Sequence, residues 1–122
     1  MTGPPLTASR AAINSGVKVY GDCQTPSVEP QQIVLACADV GDVVQNLFWE
    51  TWTAKTAIGD GTWVYKDCKP DCATGHFHSL PTRIAISNPV RDPNGQLVFS
   101  ELKANPLPPG RTGPQSLPTR PD

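Results

Sequence analysis

The residues with the most chemistry lie in KDCKPDCATGHFH, residues 66–78. Cys68, Cys72, His76 and His78 stand there as C-x3-C-x3-H-x-H, with Asp67 and Asp71 between and beside them. Two thiolates and two imidazoles form one complement for tetrahedral zinc. A His-x-His pair with carboxylates in reach, here Asp67, Asp71 or Glu50, can also bind a metal or run acid–base chemistry, because imidazole titrates near neutral pH. Spacing argues against a zinc finger, whose spacer between thiolates and imidazoles is about a dozen residues. A zinc site built from the quartet also strands Cys23 and Cys37, and four cysteines on one zinc would lack paired C-x2-C knuckles. A redox pair lacks both C-x-x-C and a βαβ context.

The cysteines read instead as a disulfide framework. Four of them, Cys23, Cys37, Cys68 and Cys72, occur in a short chain with a small core, the setting in which bridges replace hydrophobic burial. Cys68–Cys72 would close a very small loop, so pairings that link the early cysteines to the late ones are favoured, with connectivity open. Each such bridge contributes ~2–4 kcal/mol. On this reading the chain holds no cofactor and no metal, with zinc on His76 and His78 as the alternative. The histidines then flank a buried Phe77, an arrangement that strand alternation produces without any function. There is no G-x-S-x-G, no Gly-rich phosphate loop after a strand and no H-E-x-x-H, so no catalytic residue is assigned. Asp60, between Gly59 and Gly61, reads as turn chemistry.

Strands must position these groups. VKVY (17–20) alternates. QIVLACA (32–38) is apolar on both parities and suits a strand covered on both faces. NLFWETWT (46–53) is aromatic and β-branched, with Trp49 and Trp52 on opposite faces by simple alternation. One of the two is then a candidate ligand-facing side chain for a glycan or a peptide. DVGD (39–42) and IGDGT (58–62) read as turns. TWVYKDC (62–68) carries Trp63 and Tyr65 on one face. RIAIS (83–87) points Ile84 and Ile86 inward, and QLVFSELKA (96–104) follows the Asn94-Gly95 hairpin signal. Pro30, Pro81, Pro89 and Pro93 fall outside the strand interiors on this reading. The fold class is all-β: a small antiparallel β-sandwich or open barrel of five to six strands over residues 17–104. Residues 1–16 read as a flexible leader without the apolar centre of a signal peptide.

Residues 105–122 carry six prolines and read as an extended spacer or docking segment. PLPP is a PxxP string, and SLPTR occurs at both 79–83 and 116–120; two copies of a pentapeptide do not make a structural repeat.

The 122 residues suit one domain, and with 38% hydrophobic residues the core is modest. A net charge of −1 leaves no basic surplus for nucleic acid or for anionic lipid. IVLACA (33–38), the longest apolar run, is far too short to span a membrane.

The stretch from IVLACAD through W-x2-W, the Gly-rich turn and C-x-P-x-C-A-x-G to a Pro-led strand resembles small exported cysteine-containing β-domain proteins of actinobacteria (mycobacterial and streptomycete-like), a group of uncharacterised function. The matching residues are Cys37, Ala38, Asp39, Trp49, Trp52, Gly59, Gly61, Cys68, Pro70, Cys72, Ala73, Gly75 and Pro81, over about half of the chain. The resemblance implies export or the cell envelope and supplies no catalytic residues. The expectation is a non-enzymatic, secreted or envelope β domain acting as a structural or binding module toward a protein or cell-wall partner. A metal-dependent hydrolase and a tryptophan-based carbohydrate or peptide binder are the alternatives.

Overall fold

The computed structural model describes residues 16–37, 41–67, 71 and 73–121. Strands β1 (Val19–Tyr20), β2 (Pro26–Ser27), β3 (Ile33–Val34), β4 (Asp42–Trp52), β5 (Thr56–Lys66), β6 (Phe77–Arg91), β7 (Leu97–Asn105) and β8 (Gln115–Ser116) follow in that order. The last six form a curled antiparallel meander, β3-β4-β5-β6-β7-β8, and β1 pairs with β2. The all-β expectation holds for the described residues. No helix long and apolar enough to cross a membrane occurs among them.

The segment ahead of β1 ties the curl together. Lys18 bridges β7 in parallel, its N–H donating to Leu97 (3.0 Å) and its carbonyl accepting from Phe99 (2.9 Å). Three residues on, the Gly21 carbonyl accepts from Val34 of β3 at 2.9 Å. One short segment thus meets β3 at one end of the meander and, near the other, the stretch of β7 that β8 leaves unpaired, covering strand edges that would otherwise invite pairing with another chain. Val17, Val19, Ile33, Val44, Trp52, Trp63, Ile84, Ile86, Phe99 and Leu102 fill the space between.

The disulfide pairing differs from the expectation. Cys23 bonds to Cys37, with Cα atoms 5.8 Å apart, so neither early cysteine reaches a late one. The backbone explains the choice: the Gly21–Val34 hydrogen bond already lays the Cys23 segment beside the Cys37 segment. Cys68 and Cys72 lie outside the described residues, as do residues 1–15 of the leader expected over residues 1–16.

Two strands extend past their expected limits. IGDGT is the middle of β5, and the reversal from β4 comes earlier, where Thr56 carbonyl accepts from the Thr53 N–H (2.8 Å) and hydroxyl (2.9 Å). Gly59 is there for space: a Cβ on it would stand 2.6 Å from the Phe48 carbonyl and 3.1 Å from the Trp49 ring. β6 runs through both Pro81 and Pro89, against the expectation that prolines stay outside strands. β6 pairs with β5 over residues 77–87 and with β7 over residues 83–91. Each proline therefore sits where β6 has one neighbour only, and its missing N–H costs the sheet no ladder bond.

The Pro-rich C-terminal segment is part of the fold rather than a free tail. β7 continues to Asn105, the Asn105–Pro106 peptide is cis, and the Pro106 carbonyl accepts from the Thr82 hydroxyl at 2.7 Å. β8 then pairs with Glu101 and Leu102 of β7, and Leu117 enters the core.

Candidate functional site

Trp49 and Trp52 do not face opposite ways. β4 carries two register shifts against β5, between Gln45 and Phe48 and between Trp49 and Thr51. Each inserts one extra residue, which resets the alternation; Asn46, in the first, has the left-handed φ of 56°. Across the second, Trp49 faces Gly59 and Trp52 faces Ala57, two positions of one face. The indoles meet edge to face with centroids 4.8 Å apart. Both N–H groups are used internally, Trp49 on the Pro30 carbonyl (2.8 Å) and Trp52 on the Val17 carbonyl (2.9 Å). Trp52 is buried, and Trp49 is half-buried against the core. The exposed aromatics are Phe48 and Phe77.

Phe77, expected to be buried, is 62% exposed. Ile84 and Ile86 fix the inward parity of β6, and the strand runs unbroken back to residue 77. Even-numbered residues therefore face inward and Phe77 faces out, beneath the Lys66 ammonium at 5.7 Å from its ring. His78 is on the inward parity and stacks on Tyr65, its partner in β5, at 5.4 Å.

Around that stack the structure gathers a cleft of about 590 Å³ lined by Tyr65, Lys66, Asp67, His78, Pro109, Gly110 and Arg111. Three strand ends supply its floor, because Asp42 of β4 pairs with Tyr65 of β5 and Tyr65 with His78 of β6. Asp67 closes one side. Its Oδ1 accepts from the His76 N–H (2.9 Å) and its Oδ2 lies 2.7 Å from His78 Nε2. Its own N–H donates to the His76 carbonyl at 2.9 Å. Gly75 permits this approach: a Cβ there would overlap the Asp67 carbonyl group. Next to it Asp71 caps a turn, its carboxyl held below the usual range by the Thr74 backbone N–H first and the Thr74 hydroxyl second.

The opposite wall is the Pro109–Arg111 loop. Arg111 donates to Asp42 Oδ2 at 2.9 Å and lies over the Trp63 ring at 5.1 Å, while the Trp63 indole donates to Asp42 Oδ1 at 2.6 Å. Asp42 and Arg111 are both mostly covered, and a guanidinium placed over an indole face is attracted by the ring as well as by the carboxylate. Sequence reasoning missed this wall. Its signals were Pro109-Gly110 as a turn and Leu107 and Leu117 as apolar anchors within a segment read as solvated.

His76 and His78 do not build a metal centre from what is described. Among the described residues no group of three or more His, Cys, Asp or Glu side chains is placed to hold a metal ion. His78 instead has a carboxylate on Nε2, and His76 serves through its backbone.

A second carboxylate pair lies at the far end of β6. Tyr20 donates from its hydroxyl to Asp92 Oδ2 at 2.8 Å, fully enclosed, while Asp92 Oδ1 accepts from the N–H groups of Asn94 and Gln96 at 2.9 Å each. Burial pushes the Asp92 carboxyl up, but the Tyr20 hydroxyl, the Gln96 and Asn94 N–H groups and the nearby Lys18 charge outweigh it and hold it below its ordinary value. Burial, then the Asp92 bond and charge, push the Tyr20 phenol above its ordinary value.

These features define a class: a disulfide-linked, all-β domain with an open, charge-lined cleft at the end of its sheet. No protein-family model, curated protein or solved structure matches the chain.

Proposed function

We propose that the chain is a non-enzymatic binding module of the secreted fraction or the cell envelope, and that its ligand enters the cleft between Tyr65–His78 and the Pro109–Arg111 loop. The observation that carries this reading is the cleft itself: open to solvent, floored by a stacked aromatic pair, and walled by Asp67, which is engaged with His78, and by Arg111, which Asp42 holds from behind. Sites of this size with a few fixed polar groups are where small ligands bind. No nucleophile stands beside His78 among the described hydrogen bonds, so the Asp67–His78 pair acts in orientation rather than in acyl transfer. The Cys23–Cys37 bridge suits an oxidising compartment. The curled sheet, tied from β7 to β3 by residues 18–21, reads as a small open barrel. The C-terminal segment then serves as a wall of the site.

The test is a tryptophan-fluorescence titration of unreduced protein with soluble cell-wall fragments and short peptides. Trp63 lies under Arg111 and reports on the cleft. Saturable change that disappears in Tyr65→Ala supports the reading; a flat response across the panel, or one unchanged in Tyr65→Ala, removes it.

A further inference from the structure

The cleft also indicates what kind of ligand it takes, an inference that rests on the binding reading above. The carboxylate that lines it, Asp67, and the one behind its Arg111 wall, Asp42, are both spent. Asp42 accepts from Trp63 and Arg111, and Asp67 accepts from the His76 N–H and holds His78. Its donors are not. Among the described residues the Tyr65 hydroxyl accepts and donates no hydrogen bond, and the Lys66 ammonium donates none either, lying over the Phe77 ring and feeling the Asp71 charge only through space. Of the five guanidinium N–H groups an arginine carries, Arg111 commits one among the described residues, from Nη1 to Asp42. A ligand entering the cleft therefore meets open donors and no open carboxylate.

We infer that the cleft binds a small ligand through an oxyanion, a carboxylate or a phosphate, held by the free guanidinium edge of Arg111 and the Tyr65 hydroxyl, with Lys66 swinging in from the rim. Arg111 is suited to the task because Asp42 and the Trp63 face fix its plane beforehand, so little side-chain freedom is lost on binding. Lys66 differs: its flexible stem lets the ammonium leave Phe77 and reach the anion as a point charge. Charge-assisted bonds to an oxyanion are the strong kind. The Tyr65–His78 stack would bear on the body of the ligand.

The experiment is a two-dimensional amide NMR titration of the full chain at fixed ionic strength. The probes are sodium acetate, inorganic phosphate, acetamide, sodium chloride, an amide-capped neutral peptide and a neutral cell-wall disaccharide. The expected result is saturable shifts at residues 65–67 and 109–111 with acetate or phosphate and none with acetamide or chloride. Saturation by acetate alone identifies a carboxylate, and by phosphate alone a phosphate. Tyr65→Phe and Lys66→Gln, which leave the Asp42–Arg111 pair in place, should each weaken that binding by about tenfold, the loss of one charge-assisted hydrogen bond. Equal shifts with acetamide or chloride, or affinity unchanged in both variants, overturn the oxyanion inference. If the neutral peptide or disaccharide saturates the cleft and the anions do not, the inference falls while the binding reading stands. Cleft residues silent to every probe remove both.

Discussion

Asp67 and Asp92 stand at opposite ends of β6 and make the same kind of local structure. Each accepts backbone N–H groups of the chain that follows it, and each holds a ring group, His78 Nε2 at 2.7 Å for Asp67 and the Tyr20 hydroxyl at 2.8 Å for Asp92. Their surroundings differ. Asp92 is 6% exposed and Tyr20 fully buried, so every bond is internal and the pair fastens the β6–β7 turn to the N-terminal strand. His78 is 47% exposed at its side chain and opens onto the cleft. A carboxylate–ring pair is therefore not a functional signature in itself. Burial decides whether it serves as a fastening, where loss of a partner costs the folded state, or as part of a surface, where loss costs recognition.

That contrast can be broken by substitution. The largest stability loss should come from the fastened side. Removing the Cys23–Cys37 bridge as the double serine variant should lower unfolding stability by about 3 kcal/mol, the value for a closed loop of this length, read as the midpoint of urea unfolding. Tyr20→Phe should cost about 1–2 kcal/mol in the same assay, one buried hydrogen bond to a charged partner. If it is neutral, the fastening role is wrong.

The pH dependence of stability sharpens the comparison. Because the folded state holds Asp92 below its ordinary value, its stabilisation is present above the unfolded carboxylate range near pH 3.8 and is lost as pH falls through the folded value. Tyr20 has the opposite sign: its raised phenol favours the neutral form, so stability is present below pH 10 and is lost as pH climbs beyond it. Unfolding midpoints of Asp92→Asn and Tyr20→Phe across pH should each flatten the corresponding limb. The smallest stability effects belong to the open side. Tyr65→Phe and Lys66→Gln should stay within about 0.5 kcal/mol of the parent. Gly75→Ala lies between the two classes: its new Cβ must push Asp67 away, so it should disperse the amide signals of residues 65–67 and 76–78 more than it shifts the unfolding midpoint.

Much of the fold was legible. The β-rich runs around 17–20, 46–53, 83–87 and 96–104, and the described part of 62–68, fall on or within described strands or their ends, and Asn94-Gly95 marks the β6–β7 turn, with Gly95 at φ 81°. The inward parity of Ile84 and Ile86 was also right, and carrying it back through Pro81 would have placed His78 correctly. Proline marks a strand boundary only where both neighbours pair, and Pro81 has one neighbour. Trp49 and Trp52 failed for a different reason. A bulge adds a residue without any composition signal of its own, and no count of alternation can see it.

What the sequence determined by itself follows from local preference: β-branched and aromatic runs that can only be strands, turn residues that supply left-handed backbone, and a charge balance with no basic face to offer. What only the tertiary structure decided are relations between distant segments. Cys23 finds Cys37 because the Gly21 carbonyl meets Val34; Trp49 shares a face with Trp52 because β4 slips against β5; and Arg111 reaches Asp42 because β8 anchors the chain on β7. Each depends on which strand edge a remote segment covers, and that is settled by burial of shared apolar surface rather than by the residues on either side.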